Sequence, residues 1–170
     1  MNLRHLLLVA MLFLSLVLMA QDDSQEMGVI TGSRVNVRGR PLGTAEVCCQ
    51  LKKGDEVKIL ERRLVQTTGT NTEEWVRIVL PEKAVVWLQT AFLTEDGAVT
   101  SKVNGRAGPG LMWPVLCVFS KGYEVTLQTN HLEWTGVIPP PTASAWISGR
   151  YVRNQSDEPP AVPATPVTPE

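Results

Sequence analysis

Residues 35–60 read VNVRGRPLGTAEVCCQLKKGDEVKIL, and residues 103–128 read VNGRAGPGLMWPVLCVFSKGYEVTLQ. The two stretches align without a gap at an offset of 68. Val35/Val103, Asn36/Asn104, Arg38/Arg106, Pro41/Pro109 and Lys53-Gly54/Lys121-Gly122 are among the identities. A second block recurs at an offset of 59, with Trp75/Trp134, Pro81/Pro140, Ala84/Ala143 and Trp87/Trp146 identical and Phe92/Tyr151 similar. Two blocks recurring in the same order are two copies of one unit. The offsets differ by nine, so one connection is nine residues shorter in the second copy: 61–74 in the first, 129–133 in the second.

Within each copy the pattern is that of short strands. Val35 and Val37 alternate with polar neighbours, the signature of a half-buried strand. Gly39 to Glu46 holds two glycines and a proline and reads as a loop. Val47 to Leu51 is a strand with Val47, Cys49 and Leu51 inward, and Gly54 supplies the positive φ of the turn that follows. Glu56 to Leu60 is the next strand, and 61–74 reads as a polar hairpin loop. Trp75 to Leu80 and Val85 to Leu88 complete the sheet, and Thr90 to Leu93 is one tight turn. No helical periodicity appears after residue 20. Closely spaced short strands with Gly and Pro turns predict an all-β chain of two small tandem barrels, 28–93 and 98–152, joined by Glu95-Asp96-Gly97.

The ends differ from this pattern. Residues 1–20 carry Arg4 and His5, then an apolar run to Ala20, too short for a comfortable membrane span. That is the layout of a signal peptide cut after Ala20, so the chain is expected to be exported, periplasmic or extracellular. Membrane attachment is expected only if the segment stays uncleaved. Residues 153–170 are polar and Pro-rich and are expected to be a disordered tail.

Composition narrows the function. Beyond residue 20, fifteen cationic side chains face seventeen anionic ones, which excludes a polybasic nucleic-acid binder. The single histidine of that region, His131, lies far in sequence from Cys48, Cys49 and Cys117, which all fall on strand patterns. No G-x-S-x-G elbow and no Cys-x-x-Cys pair occur, so no catalytic residue, metal site or cofactor is expected. Cys49 and Cys117 read as small buried hydrophobes in two separate cores, while Cys48 points away as a free thiol.

The repeated residues resemble the bacterial SH3 family, SH3b, whose usual pattern is xLNVRxGPs, then V-x-x-L-x-x-G-x-x-V, then W-x-x-V and a final GWV. Val35 to Arg38 and Val103 to Arg106 match the start, and Ala107-Gly108-Pro109-Gly110 matches its x-G-P-G. Gly39-Arg40-Pro41-Leu42 departs from it, and Val86-Trp87-Leu88 and Ala145-Trp146-Ile147 lack the final glycine. The resemblance covers 28–93 and 98–152. It implies SH3-like barrels in an exported, non-catalytic protein that binds peptidoglycan or a wall peptide, or alternatively an adaptor that binds an envelope protein.

Candidate ligand residues follow. Trp113 sits in the loop that borders the ligand groove of SH3-like folds, where the first copy has Ala45, and an exposed Trp there would stack on a sugar or peptide. Arg38 and Arg106 lead into the two loops and would meet carboxylates or the loop carbonyls. Trp134, Trp146 and Tyr151, at paired positions of the repeat, complete the set.

Overall fold

The computed structural model describes residues 25–67 and 70–155. The expected signal peptide and the tail beyond Gln155 lie outside the described residues. The strands are β1 (Met27–Ile30), β2 (Val35–Arg38), β3 (Val47–Leu51), β4 (Glu56–Gln66), β5 (Thr72–Val79) and β6 (Val86–Gln89) in the first copy. The second copy holds β7 (Val103–Arg106), β8 (Val115–Phe119), β9 (Leu127–His131), β10 (Trp134–Val137), β11 (Ser144–Ser148) and β12 (Val152–Asn154). Short 3-10 turns, Thr90–Phe92 and Gly149–Tyr151, follow β6 and β11. There is no α-helix among the described residues, and the chain is all-β.

The sheets do not follow the repeat boundaries. The seven-stranded sheet runs β12-β1-β4-β5-β11-β2-β3, and the five-stranded sheet runs β8-β7-β6-β10-β9. By the repeat, β6 and β11 are equivalent strands, and each sits in the other copy's sheet. β11 pairs with β5 from Ser144↔Val79 to Ser148↔Trp75 and meets β2 at Trp146↔Arg38. β6 pairs with β10 and meets β7 at Trp87↔Arg106. The exchange continues through β12, which pairs with β1, and through a Leu93↔Val99 bridge. The two connections that carry the crossing lie together: Leu80 N–H donates to Ala143 O at 2.9 Å. Each turns at its equivalent proline, with Ala84 N–H bonded to Pro81 O and Ala143 N–H to Pro140 O. Exchange of an element between related units costs little, because each strand finds the same partners in either place.

This topology replaces the two separate cores expected from the sequence with one. Val37, Val76, Ile78 and Ile147 join Val86, Leu88, Phe119 and Val137 in a single buried apolar cluster. The loop bases of the two copies also touch, since a Cβ added at Gly39 would lie 2.2 Å from Pro114 Cγ. Gly54 and Gly122 do take positive φ, at 89° and 83°, as turn positions without a Cβ can. The last strand, β12, runs to Asn154, past residue 153 where the tail was expected to begin.

Two sequence expectations fail for local reasons. The polar stretch 61–74 is not a loop: β4 and β5 continue through it as a paired arm, from Glu61↔Arg77 to Gln66↔Thr72. No alternation marks it, because both faces of the arm are partly open. Ion pairs Arg63–Glu61 at 2.5 Å, Arg62–Glu74 at 3.6 Å and Arg77–Glu61 at 3.2 Å take the place of a buried face.

The second failure is the inward parity of β3 and β8. The register steps from Val37↔Cys49 to Arg38↔Val47, and from Gly105↔Cys117 to Arg106↔Val115. Each step is a bulge, and a bulge places two residues opposite one. Cys48 and Leu116 are the extra residues and turn toward the core. Val47 and Val115 are left exposed, and Cys48 packs against the apolar cluster instead of standing free.

All three thiols are unbridged. Burial pushes Cys48 and Cys117 up to about 12 and Cys49 up to about 11, and for Cys48 the neighbouring Cys49 adds to the rise. Below pH 9 both folded and unfolded chains hold the thiols protonated, so their contribution to stability is fully present. Between about pH 9 and the folded values the unfolded chain ionises first and stability falls. Alkylation of the native protein at pH 8 is expected to be more than about tenfold slower than in urea at every cysteine, since the thiolate is the nucleophile. Free-thiol rates at Cys48 in the native state would overturn this placement.

Candidate functional site

The exchange creates two clefts of like construction, each lined by both copies. The first, of about 210 Å³, is lined from the first copy by Arg34, Asn36, Arg38 and Trp75. Ser148, Arg150 and Tyr151 arrive from the second copy on the crossed β11 and its 3-10 turn. The second cleft, of about 220 Å³, is lined by Lys102, Asn104, Arg106 and Trp134, with Gln89 and Phe92 from the crossed β6 and its turn. Position by position these residues correspond in the repeat, and Gly43 of the first cleft corresponds to Leu111 of the second.

Arg38 and Arg106 do the same task in both. Arg38 Nη1 donates to Ala45 O across the loop. Arg106 Nη1 donates to Trp113 O at 2.8 Å and to Leu111 O at 3.0 Å. Ala45 and Trp113 are equivalent positions, so each arginine ties its loop closed through a main-chain carbonyl. These guanidiniums are walls of the clefts whose strongest contacts are already spent on the loop.

The two clefts differ where the nine extra residues lie. The long β4–β5 arm brings Glu73 to the first cleft, where its Oε1 accepts from Ser148 Oγ at 2.8 Å and from Arg150 Nη2 at 3.0 Å. Arg150 Nε in turn donates to Ser148 Oγ at 3.1 Å. Gly149 makes this approach possible, because a Cβ there would lie 2.2 Å from Glu74 Oε2. In the second cleft Leu132 and Ala91 stand at the positions of Glu73 and Arg150, so no such network exists. Arg34 is exposed and makes no hydrogen bond or ion pair among the described residues. Trp75 is 2% exposed, and its Nε1–H has no hydrogen-bond partner among the described residues.

The remaining candidates are placed as follows. Trp113 is half-buried: its ring lies against Gly108, where an added Cβ would meet it at 2.3 Å, and packs on the core cluster. The exposed apolar tip of that loop is Leu111 and Met112 instead. Trp146 is 9% exposed and lies under the arm, with the Arg63 guanidinium 5.0 Å from its ring centroid and that of Arg77 6.0 Å away. Tyr151 and Arg38 meet in the first cleft and Trp134 and Arg106 in the second, so the six candidates do not form one group. Arg34, Asn36, Glu73, Trp75, Ser148 and Arg150 were not singled out as ligand residues. The identity Asn36/Asn104 and the pair Trp75/Trp134 were the available signals. Glu73 and Arg150 had none, because they meet only through the exchange. His131 is exposed on β9, at the opposite edge of the five-stranded sheet from β8, which carries Cys117, while Cys48 and Cys49 lie on β3 of the other sheet. No group of three His, Cys, Asp or Glu side chains able to hold a metal occurs among the described residues.

Compared with known proteins, the chain is 23% identical over 143 residues to a Bacillus subtilis (strain 168) protein provisionally named N-acetylmuramoyl-L-alanine amidase YrvJ. The match covers 76% of this chain and 26% of that protein, so the chain spans about a quarter of the relative's length. No family description matches the chain, and no solved structure does. No helix among the described residues is long and apolar enough to cross a membrane.

Proposed function

We propose that the protein is a non-catalytic, exported wall-binding protein, built of two SH3-like barrels of the bacterial SH3 type that exchange their last strands, and that it recognises peptidoglycan or a wall peptide through the paired clefts. The observation that carries this reading is the similarity, over three-quarters of the chain, to a protein whose name assigns it a cell-wall substrate. Two clefts of like construction over one shared core suit a repetitive polymer, because a second engagement on the same strand becomes intramolecular and adds avidity without new contacts. The half-buried and buried thiols, held protonated well above neutral pH, and the distant His131 support a role without covalent catalysis.

The test is retention on purified sacculi. The chain from Gln21 onward is expected to sediment with them, and the double variant Arg34→Glu, Lys102→Glu is expected to lose about tenfold or more in retention with its melting temperature unchanged. Both side chains are exposed, so their replacement leaves the core intact. A protein that stays in the supernatant with sacculi but is captured by a single envelope protein would be an adaptor instead.

A further inference from the structure

We propose that the first cleft is a carboxylate subsite, with Arg34 and the Trp75 indole N–H as its donors and Arg150 as its gate. This rests on the wall-binding reading and names the group on the ligand that the cleft takes.

The argument begins with two donors that the fold leaves unused. Trp75 Nε1–H is buried and unpaired at a ring that lines the cleft. A buried donor left without an acceptor destabilises the fold, and an acceptor that reaches it recovers that cost. Arg34, at the rim, is a planar guanidinium with no partner among the described residues, and that fork matches the two oxygens of a carboxylate. Asn36, also in the wall, has its Oδ1 occupied by Gln50 Nε2 at 2.8 Å, and its side-chain amide adds N–H donors to this wall.

Selection between anions and cations follows from the rest of the wall. Glu73 is the one acid lining this cleft, and its Oε1 is already shared by Ser148 and Arg150. Its negative charge is therefore compensated, and Arg34 and Arg38 are left as the uncompensated charges, with Arg38 tied to the Ala45 carbonyl and Arg34 without a partner among the described residues. Glu73 acts as a positioning residue that holds Arg150 over the cleft. The Arg150 side chain is 67% exposed and shares the cleft with Trp75, so its change of rotamer, on the time scale of surface side-chain motion, is the gating step.

The second cleft is the internal comparison. It has Lys102 in place of Arg34, a point charge without the fork, and Ala91 in place of Arg150. Trp134 is half-exposed there, and its N–H is not a buried orphan. The two clefts thus present different chemistry on a shared frame.

The test is a titration of the full 15N-labelled chain with N-acetyl-D-alanyl-D-alanine and with its C-terminal amide, which differ only in the carboxylate. The observed signal is the Trp75 indole N–H resonance, assigned through the labelled backbone. The acid is expected to shift that resonance, with the amide at least about tenfold weaker. Arg34→Gln is expected to remove the difference between them, and Lys102→Gln to preserve it. Equal shifts with acid and amide, or a loss with Lys102→Gln as large as with Arg34→Gln, would overturn the assignment. So would no shift with either ligand up to about 10 mM, a concentration at which even a weak subsite fills. Sacculus retention measured on the same preparation separates the two readings. Retention without a carboxylate response removes the subsite alone, and a carboxylate response without retention removes the wall-binding reading.

Discussion

Replacing Ile147 by alanine is expected to loosen the sheet of the first copy, although Ile147 belongs to the second. Ile147 is fully buried and pairs with Val76 in the middle of the seven-stranded sheet. Truncation of a buried Ile to Ala costs about 2–5 kcal/mol, from lost burial and the cavity left behind. For a chain of this size each kcal/mol lowers the melting temperature by roughly 2–4 °C, so a fall of roughly 4–20 °C is expected. Hydrogen exchange locates the damage. Amides of β5, from Trp75 to Val79, are expected to lose the most protection, ahead of those of β10. Greater loss at β10 would mean that β11 pairs with its own copy and that the exchange is wrong. The same topology requires one cooperative unfolding transition, because neither sheet is complete without a strand from the other copy.

Gly105→Val is expected to be at least as damaging, and Phe119→Leu is expected to repair most of that damage. The first copy has Val37 and Leu51 where the second has Gly105 and Phe119. A Cβ at Gly105 would lie 2.6 Å from Cys117 Sγ, 2.6 Å from Val86 Cγ1 and 2.7 Å from Phe119 Cε2. The phenyl ring occupies the space that a valine fills in the first copy, so the two copies reach similar core volume by different pairs. Overpacking a dense core costs about 1–3 kcal/mol and at times more. Three contacts below 3.0 Å place Gly105→Val at the upper end. With Phe119→Leu in the same chain the ring is gone, and the coupling between the two changes is expected to be about 1–3 kcal/mol, favouring the double variant over the sum of the singles. Urea midpoints of the four proteins measure it. Additive losses would show that the ring and the glycine are not complementary, and that Val86, on the crossed strand, sets the limit.

Much of the fold was legible because it is local. The alternation of Val35 and Val37 predicts a strand with both residues buried, and both are. Gly54 and Gly122 predict turns at positive φ, and both adopt it. Thr90 to Leu93 predicts a single tight turn, and a 3-10 turn stands there. These features depend on side-chain period and on backbone sterics, which neighbouring residues decide. The bulges were not legible, because the extra residue in β3 and in β8 shows itself only against the partner strand. Nor was the long arm, whose strands are held by cross-strand ion pairs rather than by an apolar face.

The residue pattern alone establishes a duplication of short strands and turns, the inward-facing residues over most of them, and an arginine leading into each long loop. Which copy's strand completes which sheet is settled by the long-range pairing. β6 and β11 carry the same kind of pattern because they descend from one repeat, so periodicity cannot tell their places apart. That choice is made by the connections at Pro81 and Pro140 and by the shared core. It also decided the candidate site. Arg34 and Arg150 lie at opposite ends of the chain, and they line one cleft because β11 crosses to sit between β5 and β2.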